Sequence, residues 1–233
     1  TSGTGCFILL NTGEKAFKSK QLLTTVAWKI GDKVTYALEG SAFNAGSAIK
    51  WLRDELGIIS SAQECDMFAE SVDSNGGVFF VPAFTGLGAP YWNMYARGVL
   101  IGITRGTSKA HICRAVLESI AYESYDLLKL LEAETGINIE QLRVDGGASR
   151  SAFLMQFQAD MLDIPVNRPE YTETTALGSA MLAALASGIY SDIDELNECW
   201  SLSQEFTPSY NGDEREANIK TWHKAVNRSL DWI

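Results

Sequence analysis

An aspartate followed by two glycines, at residues 145–147, is the feature of this sequence best suited to holding a ligand. Glycine reaches backbone conformations closed to other residues, and a ligand can approach a main chain that carries no side chain. Residues 142–144 alternate as a strand does, whereas apolar residues recur at helical spacing over 153–161. Amides at the start of a helix favour phosphate, so this glycine turn predicts a nucleotide site, with Ser149 or Ser151 as helix cap. A turn that needs glycine only for steric reasons is the alternative, because short glycine motifs are weak evidence.

The first five residues, Thr-Ser-Gly-Thr-Gly, form a second candidate phosphate site ahead of a strand-like run at 6–10. Hydroxyl groups and exposed amides in a flexible turn can surround phosphate oxygens. An ordinary turn before an edge strand explains the same residues equally well. We call residues 1–5 the amino-terminal turn.

The composition indicates one globular domain. The chain has 233 residues, of which 46% are hydrophobic, enough to bury a sizeable core. A net charge of -10 provides no broad positive field, so nucleic acid is not an expected partner. The four cysteines form no CxxC pair and lie far from the two histidines, which argues against structural zinc. Cysteines within apolar runs are typical of reduced, packed thiols in a cytoplasmic protein.

The chain shows no segment that we expect to enter a membrane. No basic segment precedes an apolar one in residues 1–13, so no signal peptide is predicted. The most apolar later run, residues 176–189, is too short to span a bilayer and is interrupted by glycine and serine. It predicts a buried helix, with hydroxyl caps at residues 172–175.

Three antiparallel strands are predicted first, at residues 6–10, 22–30 and 34–38, because Gly31-Asp32 between the last two is a hairpin signal. A helix over residues 41–56 follows. Gly46 lies inside this predicted helix at a cost of about 1 kcal/mol relative to alanine, so either another segment passes close to its backbone or two helices pack there.

The middle of the chain predicts a second helix at 60–74 and a long loop at 82–98 rich in glycine, proline and aromatic residues. Such a composition is typical of binding or interface loops, although its aromatic residues equally suit a small core. A long amphipathic helix is predicted from Ser108 to about residue 134, with His111 in its first turn as a capping or packing residue. A final amphipathic helix is predicted at 213–232.

Strands followed by strand-helix alternation indicate an α/β fold, with a mixed sheet and helices on both faces. This order resembles one lobe of the actin, hexokinase and heat-shock-chaperone ATPases, which share a ribonuclease H-like fold. In those proteins a turn similar to residues 145–147 contacts adenosine. The resemblance implies that nucleotide binds between two lobes, of which residues 1–233 correspond to one.

Within that superfamily the sequence resembles the FGGY carbohydrate kinases, and most closely the carboxy-terminal half of the glycerol kinases. GVLIGITRGTSKAHICRAVLESIAYE, residues 98–123, fits the pattern that marks the second half of the family. Four further segments match in the expected order: TGCFILLNTGE, YALEGSAFNAGSAIKWLRDEL, PAFTGLGAPYW and VDGGASRSAFLMQFQ. The resemblance covers essentially the whole chain.

The resemblance also implies site residues. Phe7 matches an aromatic residue that lies against the carbon chain of glycerol, and Thr4 matches a threonine at the nucleotide phosphates. Lys50 and Ser151 stand where many relatives have glutamine and asparagine. The residues assigned to the nucleotide are Thr4, Gly46, Lys50, Gly146, Gly147 and Ser151.

The implied reaction is transfer of the ATP γ-phosphoryl group to glycerol with Mg²⁺, in the cytoplasm and by a homo-oligomer. The family's catalytic base lies in a GDQ segment that would precede Thr1, so we expect residues 1–233 alone not to phosphorylate glycerol. Two alternatives stay open. The chain can belong to another FGGY kinase acting on a pentose-type sugar, or it can be a non-catalytic lobe that serves assembly or regulation through loop 82–98 and the terminal helix near Trp222.

Overall fold

The computed structural model describes residues 1–233 as an α/β structure with eight strands, seven α-helices and one 3₁₀-helix. The strands are β1 Cys6–Gly13, β2 Leu23–Ile30, β3 Lys33–Ala42, β4 Phe79–Val81, β5 Val99–Ile101, β6 Leu142–Arg143, β7 Val166–Pro169 and β8 Leu202–Phe206. The α-helices are α1 Gly46–Asp54, α2 Ala62–Glu70, α3 Lys109–Thr135, α4 Ala152–Leu162, α5 Thr174–Ala186, α6 Ile193–Asn197 and α7 Gly212–Ser229, and the 3₁₀-helix is Gly147–Arg150.

The strands pair in three groups. β3 lies between β1 and β2, antiparallel to both, which confirms three antiparallel strands at the start of the chain. Gly31 turns the β2–β3 hairpin with a positive φ of 58°, as glycine permits. β4 pairs with β5, and β7 pairs with β6 in parallel and with β8 in antiparallel orientation. Cavities lined by residues of both strands separate β1 from β6.

The long helix α3 forms the centre of the core, packed against β1, β3, β4 and helices α1, α2 and α4. Its start is the predicted one: the Ser108 amide donates to Nδ1 of His111 at 3.1 Å, and the Ser108 hydroxyl lies 2.9 Å from the same nitrogen. Gly136, with a φ of 69°, ends it. The capping role predicted for His111 is confirmed.

A buried ion pair connects α2 to α3. Nε of Arg114 donates to Glu118 at 2.8 Å, and the same guanidinium group bonds the carbonyls of Ala69 and Val72 at the end of α2. Asn75 donates to the other carboxylate oxygen of Glu118 at 2.7 Å. Burial raises the pKa of Glu118, and the Arg114 and Asn75 hydrogen bonds oppose that rise.

A second polar cluster joins α7 and the loop 82–98 to α3 through Asp126. The Trp222 indole nitrogen donates to Asp126 at 2.7 Å, the Tyr91 hydroxyl donates at 2.6 Å, and Nε2 of His223 lies 2.7 Å away. Trp222 is fully buried, so α7 is an integral part of the core as well as a surface helix.

No helix of the structure is both long and apolar enough to cross a bilayer.

Two sequence-based expectations about helices are wrong. The helix predicted at 41–56 begins only at Gly46, because β3 continues to Ala42, which pairs with Cys6. Gly46 is therefore the first residue of α1 and not an interior one. The apolar helix α5 was expected to be buried, yet none of its residues is buried.

The start of α5 also differs from the prediction, because no side-chain hydroxyl caps it. Thr174 donates its hydroxyl hydrogen bond to Asp145 instead. This contact ties the start of α5 to the glycine turn. Apolar composition indicates a preference for burial, but contacts with distant residues decide whether a helix meets a surface that it can cover.

Candidate functional site

The amino-terminal turn lies against the start of α1. The Gly46 amide donates to the Gly3 carbonyl at 2.9 Å, and the carbonyl of Thr4 accepts the amides of Ala45 at 2.9 Å and Ser47 at 3.1 Å. A Cβ on Gly46 would lie only 2.5 Å from the Gly3 oxygen, so a side chain cannot fit without moving the turn. The close backbone approach predicted at Gly46 is therefore present.

The same turn also contacts the glycine turn. The Ser2 amide donates to the Asp145 carbonyl at 2.9 Å, and the Ser2 carbonyl accepts the Ala148 amide at 3.0 Å. Gly146 has a φ of 83°, and a Cβ there would lie 2.7 Å from the Ser2 oxygen. Residues 2–4 thus touch both the start of α1 and the glycine turn, and three segments predicted separately form one continuous wall.

The second glycine of the motif faces open space. Gly147 is exposed, and a Cβ at this position would have no neighbour within 4 Å. Packing within the chain therefore gives no reason for glycine at this position, in contrast to Gly146 and Gly46. An unobstructed backbone at the start of a helical turn is the arrangement that accepts a ligand closely.

Two further residues assigned to the nucleotide are exposed near this wall. Thr4 is exposed, and its hydroxyl has no hydrogen-bond partner within the chain. Lys50 is exposed on α1 one helical turn after Gly46, so the two residues share a face of that helix. Both side chains are free to contact a ligand that lies on the wall.

Ser151 is placed differently from the other predicted residues. It is 7% exposed, and its oxygen caps α4 by accepting the Leu154 amide at 3.0 Å, as one of the two predicted caps. Its hydroxyl also donates to Asp66 on α2 at 2.6 Å. The side chain is therefore engaged within the chain, and a direct nucleotide contact by Ser151 stays a prediction.

Asp145 supports the glycine turn from within. Its side chain is buried, and one carboxylate oxygen accepts the hydroxyl hydrogen bond of Thr174. The amide of Gly146 donates to the Thr172 carbonyl at 3.0 Å. Residues 172–174 thus hold the turn in addition to Ser2.

Phe7, the predicted substrate residue, lies near the same wall. It is 43% exposed on β1, opposite Ser41 of β3. Phe7, Asp145 and Thr174 line one cavity of about 320 Å³, which opens between β1 and β6. An aromatic ring at the edge of a largely apolar cavity that also holds a few polar groups can cover the carbon chain of a small polyol.

Two residues that support the site carry no signal in the sequence. Arg168 on β7 donates to the carbonyls of Ser149 at 3.1 Å and Arg150 at 3.2 Å, which end the 3₁₀-helix. Asp66 accepts from Ser151 across 85 residues of chain. Burial raises the pKa of the Asp66 carboxyl, and the Ser151 hydrogen bond opposes that rise. Neither residue belongs to a motif, so only the tertiary contacts identify them.

Comparison with known proteins places this arrangement among kinases. Residues 1–187 match the family model described as the carboxy-terminal domain of the FGGY family of carbohydrate kinases. The chain is 60% identical over all its 233 residues to glycerol kinase 2 of Thermotoga maritima, covering 47% of that protein. It is 54% identical over the same length to a glycerol kinase of Clostridium botulinum, again covering 47%. The chain thus spans about half the length of the curated relatives it matches.

Solved structures agree with this result. The crystal structure of Plasmodium falciparum glycerol kinase with ADP is similar at a TM-score of 0.91 and 37% identity, covering 98% of this chain and 46% of that one. Ligand-bound xylulose kinase of Lactobacillus acidophilus is similar at a TM-score of 0.81 and 24% identity, covering 97% and 45%. The second likeness concerns the fold alone.

Proposed function

The chain belongs to the FGGY family of carbohydrate kinases, and from this premise we propose that it is the nucleotide-binding half of an ATP-dependent glycerol kinase. The whole protein would have a second lobe, which corresponds to the half of each relative that this chain does not match. Residues 1–233 form one domain in this proposal. ATP would lie along the wall built by the amino-terminal turn, the start of α1 and the glycine turn.

The observation that carries the proposal is that residues 2–4 contact both Gly46 and Gly146. Each glycine is required by a close approach of the same short segment. Gly147 beside them needs no glycine for packing, which fits a backbone kept open for a ligand. The related Plasmodium falciparum enzyme was solved with ADP, which supports a nucleotide as that ligand.

The proposed reaction is an in-line displacement. A glycerol hydroxyl oxygen forms a bond to the γ-phosphorus of ATP while the bond from that phosphorus to the β,γ-bridging oxygen breaks, leaving ADP. The hydroxyl proton passes to a base that we expect in the other lobe. This chain would contribute orientation: Thr4 at the phosphates, Gly46, Lys50, Gly146 and Gly147 along the nucleotide, and Phe7 against glycerol.

Mg²⁺ would reach this site as its complex with ATP. No group of three or more His, Cys, Asp and Glu side chains in the chain is arranged to hold a metal ion, so the chain offers no cage for the ion made of its own side chains alone. When bound, the ion neutralises charge on the phosphate oxygens. The residues named above act on the nucleotide and on glycerol directly.

Glycerol is favoured over a sugar substrate by the relatives at 60% and 54% identity, which are glycerol kinases, whereas the xylulose kinase is 24% identical. The test is a substrate panel on the full-length protein, with ATP consumption measured for glycerol, xylulose and gluconate. We expect the kcat/KM for glycerol to be at least about a hundredfold higher than that for xylulose or gluconate. Equal or faster turnover of xylulose would overturn the assignment to glycerol while leaving the kinase family intact.

We also propose a cytoplasmic location and self-association of the full-length protein. Cys6, Cys65 and Cys113 are buried free thiols, which is typical of proteins kept in a reducing compartment. Sedimentation of the full-length protein with and without ATP would measure the association. A monomer under both conditions would contradict it.

A further inference from the structure

The hydrogen bond between Ser151 and Asp66 joins α2 to the end of the glycine turn. We propose that Asp66 is a positioning residue of the nucleotide site, which orients Ser151 and thereby holds the 3₁₀-helix that begins at Gly147. The inference rests on the proposed nucleotide site. It assigns a role to a residue on a helix that contributes no side chain to that site.

Ser151 belongs to two local structures at once. Its amide donates to the Ala148 carbonyl at 3.2 Å, which closes the 3₁₀-helix. Its hydroxyl oxygen accepts the Leu154 amide at 3.0 Å, which caps α4. A displacement of Ser151 would therefore move the segment that presents Gly147 and the start of α4 together.

Asp66 fixes the rotation of that hydroxyl. A serine hydroxyl has one hydrogen to donate and turns freely about its bond to Cβ. The carboxylate oxygen 2.6 Å away takes this hydrogen, which leaves a lone pair directed at the Leu154 amide. A bond to a carboxylate is stronger than a neutral one, and the negative charge lies near the start of α4, where the helix dipole favours it.

The helix that carries Asp66 is itself firmly held. The Ser61 hydroxyl caps its start by accepting the Glu64 amide at 3.1 Å. At its end the Arg114 guanidinium group bonds the carbonyls of Ala69 and Val72. A carboxylate on a helix fixed at both ends can hold a distant turn in place, as supporting residues around functional sites do.

The first experiment measures kinetics of the full-length protein. We expect Asp66→Ala to raise the KM for ATP about tenfold, the size found when a supporting contact is lost. The KM for glycerol should stay within about twofold of wild type. Asp66→Asn keeps an oxygen that accepts the Ser151 hydrogen bond, so it should restore most of the ATP affinity. Asp73→Ala removes an exposed carboxylate shortly after α2 and should leave the KM values for ATP and glycerol unchanged.

A double-mutant cycle tests whether Asp66 acts through Ser151. In a Ser151→Ala background, Asp66→Ala should raise the KM for ATP no further, because the contact is already absent. Additive effects of the two substitutions would overturn the proposal, as would an unchanged KM for ATP in Asp66→Ala. A fall in thermal stability with no rescue by Asp66→Asn would show a structural role only.

Hydrogen exchange on the full-length protein tests the positioning role of Asp66 without measuring activity. The amides of Ala148, Ser151 and Leu154 are hydrogen-bonded, and in Asp66→Ala they should exchange at least about tenfold faster, with α7 unchanged. Unchanged exchange at these three amides would refute the proposal. If the full-length protein failed to consume ATP with glycerol, the proposed function would fall while this result still decided the role of Asp66.

Discussion

The amide of Gly46 donates a hydrogen bond to the carbonyl of Gly3 at 2.9 Å, and a Cβ on Gly46 would lie 2.5 Å from the same oxygen. The first turn of α1 is therefore fitted to the amino-terminal turn with no space for a side chain. Because residues 2–4 also contact the glycine turn, this one close approach fixes the relative position of all three segments of the proposed nucleotide site.

We expect Gly46→Ala to damage both stability and nucleotide binding. The added methyl group would displace the Gly3 carbonyl, at a cost of roughly 1–3 kcal/mol in the free energy of unfolding. The shifted turn should also raise the KM for ATP at least about tenfold. Chemical denaturation and steady-state kinetics of the full-length protein measure the two effects. Wild-type values for both would show that the turn can move without consequence.

Gly147→Ala is the matched contrast, because a Cβ there meets nothing within 4 Å. We expect the free energy of unfolding to change by no more than about 0.5 kcal/mol. The methyl group should nevertheless block the approach of the nucleotide and raise the KM for ATP at least about tenfold. An unchanged KM for ATP would mean that the ligand does not approach the backbone at Gly147.

Glu118→Ala should destabilise the chain strongly. The substitution leaves the buried Arg114 guanidinium group without its carboxylate and Asn75 without an acceptor. Breaking a buried pair in this way costs about 3–5 kcal/mol. Lys129→Ala on the same helix removes half of an exposed ion pair and should cost less than about 1 kcal/mol. Equal losses in the free energy of unfolding of the two variants, measured by denaturation, would contradict this interpretation of the buried pair.

The stability of the wild-type chain should fall as pH rises above the ordinary carboxyl range, because of Glu123. Burial, and next the charge of Asp126, raise the pKa of Glu123 well above 4.5. The folded state therefore favours the neutral carboxyl. Its contribution to stability is complete below the ordinary pKa and is lost as pH rises toward the raised one, by at most about 1.4 kcal/mol per pH unit.

Glu123→Gln should reduce this pH dependence and be more stable than wild type at pH 8. Denaturation of both proteins at intervals between pH 5 and pH 8 measures how the free energy of unfolding depends on pH. The hydrogen bond to Asp126 raises the pKa of His223, so protonated His223 also contributes stability that is lost at higher pH. The comparison is therefore made in a His223→Gln background as well. In the His223→Gln background, the free energy of unfolding is plotted against pH with and without Glu123→Gln. Equal slopes of the two plots would show that Glu123 is not the source of the pH dependence.

Local features of this fold were predictable from the sequence. The hairpin at Gly31, the cap of α3 by Ser108 and its end at Gly136, and the strand-turn-helix around residues 145–147 all depend on residues within a few positions of one another. Backbone conformation and capping at such sites are set by neighbouring residues, which the sequence displays directly. The order of five family segments likewise predicted the family.

The tertiary structure alone decided how these local features meet. β3 continues to Ala42 because it pairs with Cys6, and this pairing delays the start of α1 to Gly46. Asp66 reaches Ser151 across 85 residues, and Trp222 reaches Asp126 across 96. The exposure of α5 likewise contradicts its apolar composition. Contacts of this kind depend on how distant segments pack, and residue types or spacing along a chain do not specify which distant groups will lie within hydrogen-bond reach.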